Sequence, residues 1–142
     1  MKNLSTQIAT TREQSERLLT MGVKPETADM YAKFDGNPYC ITYTLKVKDV
    51  WVPVTLKEDD YPTWSLSRLI SMLPTSVPDP KPGFKPHHPE LIKHESGYNL
   101  SIRRYTADCL VGTHIEKDPI ECCVSMIDWL IKNNHFNKEY LK

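Results

Sequence analysis

Ile41-Thr42-Tyr43-Thr44-Leu45-Lys46-Val47 places an apolar or aromatic residue at every second position, with Thr and Lys between them. That is the period of a strand with one wet face. After Lys48-Asp49, a tight turn, Val50, Val52, Val54 and Leu56 alternate again, with Trp51 on the other side. Pro53 inside this second run cannot donate to a ladder, which puts the run at an edge or a bulge. The pair reads as a β-hairpin. Further on the pattern recurs: Tyr98, Leu100 and Ile102 alternate with Asn99, Ser101 and Arg103, Thr106-Ala107-Asp108 makes the turn, and Cys109, Val111 and Thr113 alternate on the return.

Each hairpin leads to an acidic residue, a proline and a helix. Glu58-Asp59-Asp60-Tyr61-Pro62 ends the first, and Thr63 or Ser65 caps a helix over about 64–73. There Leu66, Leu69, Ile70 and Leu73 have i, i+3, i+4, i+7 spacing, and Pro74 stops the helix. After the second hairpin, Asp118-Pro119-Ile120-Glu121 is a helix start with Asp at the N-cap, Pro at N1 and Glu at N3. Ile120, Cys123, Ile127, Leu130 and Ile131 line one face of that helix.

Upstream, Thr11 and Gln14 have capping-box spacing for a helix over 11–21, and Gly22 suits its left-handed stop. Pro25 then starts a second helix over about 25–33, with Ala28, Tyr31 and Ala32 on one side. Asp35-Gly36-Asn37-Pro38 is a turn cluster. The expected fold class is therefore α+β. Two β-hairpin–helix units form a four-stranded, mainly antiparallel sheet with helices packed on it, preceded by an N-terminal helical hairpin. The chain reads as a single domain over 1–142, with a helical hairpin at 1–34 and hairpin–helix units at 35–74 and 98–142. Between the units, 75–97 is a Pro-rich loop. Residues 74–90 hold six of the eleven prolines, which makes that loop extended and too long for a simple connection.

Composition narrows the function. Lys+Arg and Asp+Glu both number 18, so the net charge is zero. A general nucleic-acid binder needs excess cations to replace phosphate counterions, so the charge balance argues against nucleic acid as a partner. No stretch approaches the ~18 apolar residues of a membrane span, and the first residues lack a signal-peptide pattern. The expected location is the cytoplasm. Cys40, Cys109, Cys122 and Cys123 then read as buried thiols rather than disulfides.

Four histidines, His87, His88, His94 and His114, are the metal candidates. Adjacent His87 and His88 point opposite ways in extended chain. His94-Glu95 begins like a zinc-protease helix motif, but Tyr98 stands where the second His belongs. Solvated loop histidines are the plainer reading. A nucleophile needs a thiolate beside a base. Cys122 and Cys123 sit at a helix start, whose dipole lowers a thiol pKa, yet Cys123 falls on the apolar stripe. No nucleophile elbow or phosphate-cradling glycine loop is present, so no catalytic or cofactor-binding residue and no cofactor is assigned. Helix, Gly22, helix also fits a helix-turn-helix, but Glu26 and Asp29 would face phosphates.

One resemblance runs through the chain. Ser15, Leu18, Leu19, Gly22, Val23 and Thr27-Ala28-Asp29-Met30 open it; Pro62-Thr63-Trp64-Ser65-Leu66, Leu69 and Leu73-Pro74 continue it. Asp118-Pro119-Ile120, Met126, Ile127, Trp129 and Leu130 close it. Together they resemble small proteins encoded on prophages and mobile elements of gut anaerobic bacteria. The likeness covers most of the chain outside 75–97. It implies a bacterial cytoplasm and a mobile-element setting, and it carries no catalytic residue. The leading expectation is a non-enzymatic accessory protein acting through a protein partner or as a homo-oligomer. The alternatives are a metal protein using the four histidines, and nucleic-acid handling through Lys93 and Arg103-Arg104.

Overall fold

The computed structural model describes residues 7–34, 41–47, 50–51, 60–105 and 108–142. Helix α1 (Arg12–Thr20) begins where the sequence places its cap. Thr11 Oγ1 accepts the Gln14 N–H at 3.2 Å, and Gln14 Oε1 accepts the Thr11 N–H at 3.0 Å. Both halves of the capping box are made. Gly22, at φ +100°, ends the helix. The Gly22 and Val23 N–H groups return to the Leu19 and Leu18 carbonyls at 3.0 and 3.1 Å.

The expected second helix does not form, so there is no N-terminal helical hairpin. Pro25 opens only a 3-10 turn (Pro25–Thr27), and the chain then extends into β1 (Met30–Phe34). Met30 and Ala32 are buried while Tyr31 and Lys33 are half-buried, which is a strand's alternation. Ala28, Tyr31 and Ala32 fit a helical spacing as well, but tertiary partners override it. The Asp29 carboxylate accepts the Ser65 N–H at 2.9 Å and its hydroxyl at 2.5 Å. Thr27 Oγ1 accepts the Trp64 indole N–H at 3.0 Å.

β1 pairs antiparallel with β2 (Ile41–Val47) and with β4 (Tyr61–Thr63), and β2 pairs with β3 (Val50–Trp51), giving the order β3-β2-β1-β4. The first hairpin is present, with Lys46 opposite Trp51 and Val47 opposite Val50. Its turn at 48–49, the cluster at 35–38, Cys40 and the stretch 52–59 with Pro53 lie outside the described residues. The second hairpin is β6 (Gly97–Tyr105) with β7 (Asp108–Gly112). Most of its turn, 106–107, also lies outside them. β5 (Pro89–His94) flanks β6 on the far side, giving the order β5-β6-β7.

Two expectations are corrected here. The hairpins do not join in one four-stranded sheet, because β1 occupies the second edge of β2 and β5 that of β6. The stretch 75–97 is not all loop: Pro89–His94 is a strand, turning through Glu95-Ser96 so that His94 faces Gly97.

Helix α2 (Leu66–Met72) is capped by Ser65, whose Oγ accepts the Arg68 N–H at 3.1 Å. Its buried residues are Leu69 and Met72; Ile70, expected in the core, is 44% exposed. Helix α3 (Pro119–Lys132) starts on Asp118, whose Oδ1 accepts the Ile120 N–H at 2.8 Å. Glu121 reaches across to α1, where Arg17 and Gln14 donate to it at 2.7 and 2.6 Å. α3 packs against β6, α1 and α2. It buries Cys122, Val124 and Met126 as well as the expected Ile120, Cys123, Ile127 and Leu130, whereas Ile131 is half-buried. These residues form one core with Leu18, Trp64, Leu69, Leu100 and Ile102.

Candidate functional site

The proline-rich stretch is where the chemistry-bearing side chains gather. Val77 and His87 exchange backbone hydrogen bonds at 2.8 and 2.9 Å, closing the intervening residues into a loop. Inside that closure the Asp79 side chain is fully buried. Arg104 grips it through both oxygens, Nε on Oδ2 at 2.6 Å and an Nη on Oδ1 at 2.8 Å. His87 Nε2 lies 2.8 Å from Oδ2, and the Lys81 N–H donates to Oδ1 at 2.8 Å. The guanidinium holds the Asp79 carboxyl well below the usual carboxylate range, helped by Lys81 and His87 and opposed by burial. An ionised carboxylate only accepts, so His87 Nε2 carries the proton. The Phe84 ring stacks on Arg104, its centroid 5.0 Å from Cζ.

An Asp–His pair also orients imidazoles in enzymes. Here, among the described residues, no hydroxyl or thiol hydrogen-bonds to His87, and the pair serves to hold the loop. Beside it lies a cavity of about 310 Å³ lined by Val77, Pro78, Pro80, Leu110 and Trp129, with the Trp129 and His135 rings stacked at 5.8 Å.

The other end of the stretch differs. Between the end of α2 and β5 lies a cleft of about 380 Å³, walled by Ile70, Leu73, Pro74, Pro89 and Leu91. Ile70 and Leu91 are 44% and 38% exposed. The backbone of β5 faces this opening. In β6 the Leu100 N–H and C=O go to Thr113, and those of Tyr98 go to Glu116. Leu91 stands opposite Leu100 and Lys93 opposite Tyr98. In an antiparallel ladder such pairs exchange no bonds, so the N–H and C=O of Leu91 and Lys93 point away from β6. Among the described residues nothing bonds to them. Pro89, opposite Ile102, turns only a carbonyl outward.

The histidines proposed as metal ligands are not brought together. His87 is held by Asp79, and His88 Nδ1 lies 2.6 Å from the Thr75 carbonyl. His94 is half-buried, with Nε2 buried and unpartnered, and His114 is exposed. Among the described residues no three His, Cys, Asp or Glu side chains form a metal-holding group. Of the nucleic-acid candidates, Arg104 binds Asp79 and Arg103 Nε donates to Ser101 Oγ at 3.0 Å, while Lys93 is exposed on β5.

Cys122 and Cys123 are free and buried. Burial pushes the Cys122 thiol up and drives Cys123 to about 12, the opposite of what the helix dipole was expected to do. Sequence reasoning missed Asp79, Phe84, Ile70 and Leu91. The one local signal was Pro78-Asp79-Pro80, an acid fixed between two rigid residues. Among the described residues no helix is long and apolar enough to cross a membrane. No protein-family model, curated protein or solved structure matches the chain.

Proposed function

We propose that the chain is a non-enzymatic accessory protein that works by binding an extended polypeptide along the outer side of β5. The observation that carries this reading is the β5 edge. It offers unpaired backbone groups at Leu91 and Lys93, directly beside an apolar cleft holding Ile70 and Leu91. Backbone groups on such an edge supply affinity to an added strand, and the cleft takes its side chains. We place this activity in a bacterial cytoplasm and a phage or mobile-element setting, as the sequence resemblance implies.

The test is photocrosslinking in native cells. A photoreactive residue at position 70 is expected to yield polypeptide adducts that disappear when Leu91→Pro removes an outward N–H. The same residue at exposed position 138 is expected to yield none. Equal adducts from both positions, or none at 70, overturn the reading.

A further inference from the structure

We infer that the strand seated on β5 is β5 of a second copy of this chain, antiparallel and centred on Ile92. This rests on the protein-contact reading and names its partner. An antiparallel neighbour sets outward-pointing residues opposite outward-pointing residues, and three alignments of β5 with itself pair Leu91 and Lys93, the two residues with an outward N–H, among themselves. Centring on Leu91 places Lys93 against Pro89, so each Lys93 carbonyl meets a residue with no N–H. Centring on Lys93 sets two ammonium groups directly opposite each other, which repel. Centring on Ile92 sets Leu91 against Lys93 in both directions. It closes four N–H···O bonds, as the Leu91 alignment also does, but uses every outward group of Leu91 and Lys93 and leaves only the Pro89 carbonyls at the strand ends.

The side chains favour the same alignment. On one face Glu90 stands opposite His94 of the second copy, twice by symmetry, and Ile92 meets Ile92. On the cleft face the methylene stem of Lys93 covers Leu91 of the second copy, shielding an exposed leucine while its ammonium stays in water. The chain's net charge of zero adds no long-range repulsion between copies. Only two outward residues per strand take part, so the dimer is weak and concentration-dependent.

The full chain is expected to dimerise in sedimentation and light scattering as its concentration rises, with the Leu91 and Lys93 amides gaining exchange protection in step. Leu91→Pro yields a monomer. Because a proline within β5 perturbs the strand itself, Leu91→Lys is the companion variant. It faces Lys93 of the second copy twice and weakens the dimer about tenfold. Adding Lys93→Glu to Leu91→Lys restores dimerisation. A chain that is monomeric at every concentration, or a dimer indifferent to all these changes, overturns the inference. If that monomer still gives position-70 adducts with another protein in cells, the protein-contact reading stands. If those adducts are missing too, both fall.

Discussion

The proline-rich stretch is closed at one end and open at the other, though the same residue types build both. At the closed end Val77 and His87 pair as a short ladder, and Asp79, Arg104 and His87 satisfy one another beneath it. At the open end the ladder stops. The next facing positions in that alignment are Thr75 and Pro89, and Pro89 has no N–H to give. The chain leaves the β5 edge there and rises into α2, so the cleft with Ile70 and Leu91 is what remains. A proline therefore sets where the intramolecular sheet ends, and a buried carboxylate fixes the loop that composition alone marks as irregular.

The change that breaks the contrast most is Asp79→Ala. It removes the buried carboxylate that Arg104, 8% exposed, grips through both oxygens and frees the loop, so the closed end comes to resemble the open one. The thermal midpoint is expected to fall further than in any variant below, with new protease cleavage within 78–88. The same group predicts a pH dependence. Its folded-state pKa is depressed, so its stabilisation is complete above the unfolded value of ~3.9 and is lost as pH falls through the folded value. Melting curves of wild type and Asp79→Ala are expected to differ at neutral pH and converge in acid. A constant gap between them at every pH would refute this role for the carboxylate.

Gly97→Ala tests the strand that presents the open edge. Gly97 has φ +154°, and a Cβ there would lie 2.3 Å from the Glu116 carbonyl oxygen. The bonds between Tyr98 and Glu116, at 2.7 and 2.9 Å, must shift to admit it. We expect a loss of about 3 kcal/mol in denaturant unfolding, with the β5–β6 turn displaced. Val77→Ala, at the closed end, removes two fully buried methyl groups and leaves a void. About 2 kcal/mol is expected, with faster amide exchange at His87. If either substitution costs nothing, the corresponding end of the stretch is not held as described.

Local signals in the sequence located the elements that carry their own instructions. The Thr11–Gln14 box, the Asp118 cap, Ser65 of the two cap candidates, Gly22 and strands over 41–47 and 98–103 all appear where they were expected. What escaped was set by distant partners. Residues 28–32 satisfy a helical and a strand spacing alike, and Trp64 and Ser65, more than thirty positions on, settle which prevails. Asp79 and Arg104 lie 25 residues apart, and neither flank announces the other. Ile70 lies on a helical stripe in sequence, but α2 turns that side toward the cleft, where β5 leaves it uncovered.

Ile70 is also where the contrast can be sharpened with the smallest perturbation. A core isoleucine cut to serine would leave a cavity and a buried hydroxyl. At 44% exposure this side chain gives up little packing, and the new hydroxyl reaches water. Ile70→Ser is therefore expected to change unfolding stability by no more than about 0.5 kcal/mol. Contacts made through the cleft should nevertheless weaken, since an apolar wall has been replaced by a hydrated group. Stability by denaturant titration, read beside the yield of crosslinks from a photoreactive residue at position 91, separates the two roles. A large stability loss would mean that the cleft belongs to the core, and the open end would then be closed in solution. Unchanged stability with a reduced yield would mean that this surface is covered by a separate molecule, a second copy included.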